Sequence, residues 1–206
     1  RPILFMLFTG EERGLLGSAH YVKNPLVPLE NTICMINMDM IGRLKDAKLN
    51  VQGVGSSSRW QNLVDSLGKA HSFTVSIGAD GFGPSDHSSF YTKERPVLFL
   101  FTGLHSDYHR PTDTWDKINY VGEANVLNFA EGAIREISRT VEKPDFIKVK
   151  STSTQTTGGF KVTIGIVPDY ADHPKGLKIT DVREGNPAQK GGMQADDIII
   201  KFGETT

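Results

Sequence analysis

The 206-residue sequence predicts an α/β fold: an incomplete three-layer α/β/α sandwich with a mostly parallel sheet, followed by a small, partial β-rich unit. Three observations predict it. Over residues 1 to 142, short apolar runs alternate with stretches of helical periodicity, the order that builds a parallel sheet covered by helices. Several of the runs are apolar without alternation, as in strands buried on both faces. After residue 159 the helical periodicity stops, and short strand-like runs separated by Gly, Pro and Asp replace it.

The first element is the run Ile3–Phe8 (ILFMLF), which reads as a buried parallel strand. Thr9-Gly10 breaks it, and Leu15, Leu16 and Ala19 begin a helical spacing, so a helix is predicted over Gly14–Lys23. Further strands are predicted at Thr32–Met38, Lys48–Gln52, Phe73–Ile77 and Pro96–Phe101, and further helices at Arg59–His71 and Tyr120–Val141. In the last helix Leu127, Ala130, Ile134, Ile137 and Val141 recur at three- and four-residue steps and form one apolar stripe. Residues 143–159 contain KPDF and then STSTQTTGG, which reads as a linker. Strand-like runs follow at Phe160–Val167, Leu177–Val182 and Ile198–Phe202. The expected organisation is therefore a domain at 1–142, a linker at 143–159 and a partial unit at 160–206, with no internal repeat. A parallel sheet needs neighbours on both sides of a buried strand, so part of the sheet is expected upstream of Arg1, together with any targeting sequence.

Composition excludes some functions. The chain is 38% hydrophobic and 23% charged with a formal net charge of −1, and it has no Lys/Arg run, which argues against nucleic acid as a partner. No apolar segment approaches the length of a membrane span. Cys34 is the single cysteine, set in the mostly apolar run Ile33–Met38; a buried thiol is expected and an intramolecular disulfide is impossible.

Four segments carry candidate chemistry. Glu11 and Glu12 are adjacent in the turn after the first apolar run. Two neighbouring carboxylates repel, and a divalent cation bound by one would compensate them, leaving the other to handle a proton; equally, both could complement a helix dipole. Asp39 follows the run Thr32–Met38, where either a metal-ligand role or a turn-starting role accounts for it. In GPSDHSSFY, Ser85, Asp86 and His87 read as an ordered loop or as a helix cap. Tyr108-His109 lies beyond the run Val97–Phe101. Together, Glu12, Asp39 and His109 fall beyond the ends of three apolar runs that could converge on one sheet edge, where α/β folds place their sites. Mixed carboxylate and imidazole donors suit zinc, and Glu11 could then act as general base toward a metal-bound water.

The ordered set GEE, NMDMIGR, SDHSSF and YHRPTDT resembles the M28 family of di-zinc aminopeptidases over Ile3 to about Val141. The resemblance implies two zinc ions, release of amino-terminal residues from peptide substrates, Glu11 as general base, and Glu12 with His109 on one zinc. It further implies Asp39 on the other zinc and Tyr108 as hydrogen-bond donor to the substrate oxyanion, with Ser85, Asp86 and His87 in the loop beside the substrate pocket. The family's His-x-Asp motif and metal-bridging aspartate precede the GEE turn and have no counterpart here; His105-Ser106-Asp107 fits the letters but follows the run that already supplies Tyr108-His109, so it reads as accidental. The chain alone is therefore expected to bind zinc weakly or not at all and to lack peptidase activity. Glutaminyl cyclases, acyltransferases with a glutamate pair in a similar turn, and a non-enzymatic peptide-binding scaffold are the alternatives. The tail resembles a PDZ domain of the bacterial protease type through TIGI, GLKITDV, NPAQKGGM and ADDIIIKFGE. That resemblance implies that Thr163, Ile164, Gly165 and Ile166 take the carboxylate of a carboxyl-terminal peptide, with Asn186 and Pro187 starting a helix. A peptidase–PDZ pairing of this kind implies an exported protein.

Overall fold

The computed structural model describes residues 1–149, 164–168, 175–182 and 185–203. Four strands form the principal sheet: β1 (Met35–Met38), β2 (Lys48–Gln52), β3 (Thr74–Ile77) and β4 (Val97–Phe101), in the order β1-β4-β2-β3. β1 runs parallel to β4 and β2 parallel to β3, whereas β2 and β4 are antiparallel. The mostly parallel α/β sandwich is present, with one antiparallel junction at its centre.

The layers follow from the alternation along β4. Val97, Leu98, Phe99 and Leu100 are all buried, so this strand is covered on both faces. Leu98 and Leu100 join Leu49 and Val51 of β2 against α2 (Trp60–Ala70) and α4 (Tyr120–Arg139), through Val64, Leu67, Val126, Phe129 and Ala133. Val97 and Met35 lie on the other face with Val22 of α1 (Leu16–Lys23) and Phe90 and Tyr91 of α3 (His87–Tyr91). Burying a Phe129-sized side chain contributes roughly 2–3 kcal/mol, so the α4 stripe anchors this layer. The Asn119 side chain caps α4 by accepting from the Gly122 N–H at 2.9 Å. Cys34 is half-buried against the α2/α4 core, and burial pushes its thiol up to about 11.

The run Ile3–Phe8 differs from its expectation. It is not a strand, and no strand pairs with it among the described residues. Met6 and Phe8 pack on the α1/α3 core, Phe8 against the rings of Tyr21 and Phe90, but Phe5 is 82% exposed and Leu7 fully exposed. Helices α1 and α3 cover only one side, and burying the other side of such a run requires a paired strand and a second layer. The predicted helix Gly14–Lys23 begins instead at Leu16, because Gly14 and Leu15 both adopt left-handed backbone angles. The strand predicted at Thr32 starts only at Met35.

In the tail, β5 (Ile166–Pro168), β6 (Leu177–Val182) and β7 (Ile198–Ile199) form an antiparallel sheet in that order. A short helix, α5 (Pro187–Lys190), has Asn186 at its cap position and Pro187 in its first turn. Ile179, Val182 and Ala188 form the small core. Thr163 and most of the predicted linker lie outside the described residues. Residues 145–149 are tied to the first unit: Asp145 accepts from the Ser57 and Ser58 hydroxyls at 2.7 and 2.9 Å, and the Ile147 N–H donates to the Ser56 carbonyl at 2.9 Å.

Candidate active site

Three turns meet above the carboxyl ends of β1 and β4. The first holds the glutamates. Glu11–Arg13 is a 3₁₀ turn bounded by Gly10 at φ 67° and Gly14 at φ 102°, values that glycine adopts without strain. Leu15 follows at φ 60° and turns the chain into α1. The first N–H groups of α1 are not left bare: Leu16 donates to the Gly10 carbonyl at 3.2 Å and Gly17 to the Thr9 carbonyl at 2.9 Å. The glutamates therefore do not cap α1 with their side chains; no such bond exists at either helix start.

The second turn follows β1. Asp39 is tied to the sheet by its N–H, 3.2 Å from the Leu100 carbonyl. Its Oδ2 accepts from the Ser85 hydroxyl at 2.9 Å, while Ser85 Oγ accepts from the buried Asn37 amide at 2.8 Å. Since the Asn37 nitrogen can only donate, it commits the serine proton to Asp39. Ser85, Asp86 and His87 are all buried, at 1%, 8% and 0% exposure, and the cleft wall from this segment is Pro84. Asp86 occupies the α3 cap position without a side-chain cap bond. Burial raises its carboxyl and Asp39 raises it further, with Ser18 opposing; its Oδ1 is buried without a hydrogen-bond partner among the described residues. The His87 ring stacks on Phe99 at 4.4 Å and has both nitrogens without a protein partner; burial drives its basicity down to about 3.

The third turn carries Tyr108 and His109. His109 has φ 54°, and its ring stacks on that of Tyr108 at 3.9 Å. His109 Nε2 lies 2.8 Å from Glu12 Oε1, bringing together residues 97 positions apart in the chain. Tyr108 borders a cleft of about 220 Å³ with Glu11, Glu12, Gly14, Leu15, Asp39, Met40 and Pro84. Burial raises the Tyr108 hydroxyl, helped by Glu12, Glu11 and Asp39. Glu11 is raised to about 7, first by burial and then by Asp39, Glu12 and Asp86, with His109 opposing. At neutral pH it can therefore both take and give a proton, as a general base requires.

The donors suit zinc in kind, carboxylate and imidazole. Their number falls short: Glu12 and His109 touch, Asp39 is engaged by Ser85, and no group of three or more His, Cys, Asp or Glu able to hold a metal occurs among the described residues. His105 and Asp107 do not face this cleft as ligands; they belong to an ion-pair cluster with Arg43, Asp113 and Lys117. Sequence reasoning missed that cluster, and it missed the bonds joining Asn37, Ser85 and Asp39, since residues so far apart leave no local pattern.

Residues 1–131 match the model of Peptidase family M28. No curated protein matches the chain. Among solved structures it is similar to the aminopeptidase from Aneurinibacillus sp. strain AM-1, with 27% identity and a TM-score of 0.55 over 68% of this chain and 33% of that one. The LapA aminopeptidase of Legionella pneumophila is similar at 23% identity and a TM-score of 0.55, over 66% of this chain and 38% of that one. BSAP, a zinc aminopeptidase from Bacillus subtilis, is similar at 23% identity and a TM-score of 0.53, over 69% and 38% respectively. The last two likenesses show the fold. The chain spans between a third and two fifths of the length of these proteins.

Proposed function

The chain belongs to peptidase family M28, and from that premise we propose that residues 1–142 serve a zinc aminopeptidase reaction on peptide amino termini. One observation carries the reading: Glu11, Glu12, Asp39 and Tyr108 share one cleft, at whose rim Glu12 meets His109. Glu12 and His109 would hold one zinc and Asp39 a second. A bound zinc supplies positive charge that acidifies a water and polarises the scissile carbonyl. The chain's own groups do the rest. Glu11, raised to about 7, accepts the proton of the attacking water and returns it to the leaving amine. Tyr108, held protonated by burial and by the surrounding carboxylates, donates its O–H to the developing oxyanion. The acidic cleft attracts the substrate ammonium, while Leu15, Met40 and Pro84 supply apolar wall.

With two ligands in contact where zinc sites use three or four, the 206-residue chain by itself holds zinc weakly and lacks turnover. Calorimetric titration with zinc tests this: stoichiometric, tight binding that Glu12→Gln and His109→Ala abolish would show the donor set to be sufficient. In a form that hydrolyses aminoacyl-p-nitroanilides, Glu11→Gln is expected to abolish turnover, and normal turnover would refute the role of Glu11. Cyclisation of an amino-terminal glutamine instead of hydrolysis would transfer the site to the glutaminyl cyclase reaction.

The tail is proposed as a PDZ-like unit. In support, β5 lies at the edge of its sheet among the described residues, and Gly165, at φ 81°, directly precedes it. A peptide would add to that edge with its terminal carboxylate at the loop. Fluorescence polarisation with a free-carboxylate peptide against its amide tests it; equal binding of the two would reject it.

A further inference from the structure

We propose that Arg43 is a positioning residue that holds Tyr108 and His109 over the cleft; the functional sense of this rests on the peptidase reading of that pair. The loop from Thr102 to Asn119 leaves β4 and returns to α4 with a single 3₁₀ turn, Trp115–Lys117, as its regular structure. Such a loop does not hold two exposed side chains in place by its own packing, and His109 in addition sits at a left-handed φ of 54°.

The support comes from one short segment, Met40–Leu44, the turn directly after Asp39. Both ends of the loop are bonded to it. At the start, the Thr102 hydroxyl donates to the Met40 carbonyl. At the end, the Asn119 N–H donates to the Gly42 carbonyl at 2.8 Å and its side-chain amide to the Leu44 carbonyl at 2.9 Å. Arg43 holds the middle. Its Nη2 lies 3.1 Å from Asp107 Oδ2 and 2.8 Å from Asp113 Oδ1, so one nitrogen bridges two carboxylates on either side of Tyr108-His109. Lys117 Nζ binds the other Asp107 oxygen at 2.7 Å, and His105 Nε2 lies 3.6 Å from Asp113.

Between these anchors the chain turns tightly. The Tyr108 N–H donates to the His105 carbonyl, and the Arg110 N–H to the Asp107 carbonyl. Asp107 directly precedes Tyr108-His109, and its carbonyl closes the turn that contains them. Both oxygens of its carboxylate are engaged, Oδ2 by Arg43 and Oδ1 by Lys117. Arg43 and Asp107 are 19% and 17% exposed, more sheltered than ordinary surface pairs, and they belong to a network rather than an isolated pair. Because Arg43 stands four residues after Asp39, one turn sets both Asp39 and, through the guanidinium, the partner of Glu12. A lysine would carry the charge on a single nitrogen, as Nη2 does here, but on a shorter stem that reaches the two carboxylates only in part.

Amide hydrogen exchange and histidine ring NMR on the whole chain test this. In Arg43→Met, amides of residues 104–114 are expected to exchange about tenfold faster or more, with those of β4 and α4 unchanged. The His109 ring resonance is expected to move or broaden while that of buried His87 stays. Arg43→Lys is expected to restore part of both signals. Unchanged loop exchange, or equal acceleration in β4 and α4, overturns the proposal. If Arg43→Met does not fold, the pair Asp107→Asn with Asp113→Asn breaks the same bridge from the other side and is read the same way. Neither readout uses hydrolysis, so failure of the peptidase reading leaves the result standing, and a rigid loop without Arg43 refutes the clamp alone.

Discussion

Substituting His87 by phenylalanine isolates a single buried base. The imidazole is fully buried, stacks on Phe99 at 4.4 Å and has no protein partner on either nitrogen. In the fold its basicity is lowered to about 3 by burial, against 6.5 in an open chain. The sign follows from proton binding. Below pH 6.5 the unfolded chain takes up a proton that the folded one refuses until about pH 3. Stability is therefore full above pH 6.5 and falls as the pH drops through that window. The expected loss from this residue is about 2 kcal/mol at pH 5 and about 4 kcal/mol at pH 3. Phenylalanine keeps the stack and cannot titrate, so its stability at pH 7 should stay within about 2 kcal/mol of the parent, relief of the orphaned nitrogens opposing a tighter fit beside Gly83. Urea unfolding of both proteins at pH 7, 6 and 5 measures the difference; every other titrating group is common to the two and cancels. Equal loss of stability in both between pH 7 and 5 would refute the reasoning.

Three further outcomes are expected. Glu11 is raised to about 7, so ionising it costs the fold stability as the pH rises from 4.5 through 7; Glu11→Gln should raise the melting temperature at pH 8 and leave it unchanged at pH 4, by calorimetry. A Cβ on Gly17 would meet the Thr9 carbonyl oxygen at 2.7 Å and the Thr9 nitrogen at 2.8 Å, both backbone atoms that cannot yield. Gly17→Ala should therefore cost about 1–3 kcal/mol in denaturant unfolding. Ser85→Ala leaves the buried Asn37 amide without its acceptor and frees Asp39, and should cost about 1–3 kcal/mol, whereas Ser85→Thr, which keeps the hydroxyl, should cost less.

Several elements were legible because their cause is local. Val97–Phe101 has no polar position to expose, the pattern of a strand covered on both faces. The helical spacing from Leu127 to Ile137 made α4 legible, but not its face: Ala130 and Ile137 are buried, together with Val126, Phe129 and Ala133, while Leu127 and Val141 of the expected stripe are exposed and the helix ends at Arg139. The order of the glutamate pair, Asp39 and Tyr108-His109 beyond apolar runs led to the expectation that they converge, and Glu11, Glu12, Asp39 and Tyr108 do line one cleft, with His109 against Glu12. Ile3–Phe8 shows where such reasoning stops. Its pattern equals that of β4, yet Phe5 and Leu7 face solvent, because burial depends on which distant segment pairs with the run.

The sequence by itself determined the residue types of the cleft and the elements that carry them, since propensity and periodicity act within a few residues of each position. Only the tertiary structure decided that Glu12 meets His109, that Asn37 aims the Ser85 proton at Asp39, that Glu11 is raised to about 7, and that Arg43 spans Asp107 and Asp113. Each of these depends on charge, burial or hydrogen-bond geometry between groups 46 to 97 residues apart, or, for Glu11, on Asp39, Asp86 and His109 together with its sequence neighbour Glu12. Electrostatic energy depends on distance in space and on the exclusion of water, and neither exists until the strands and turns have come together.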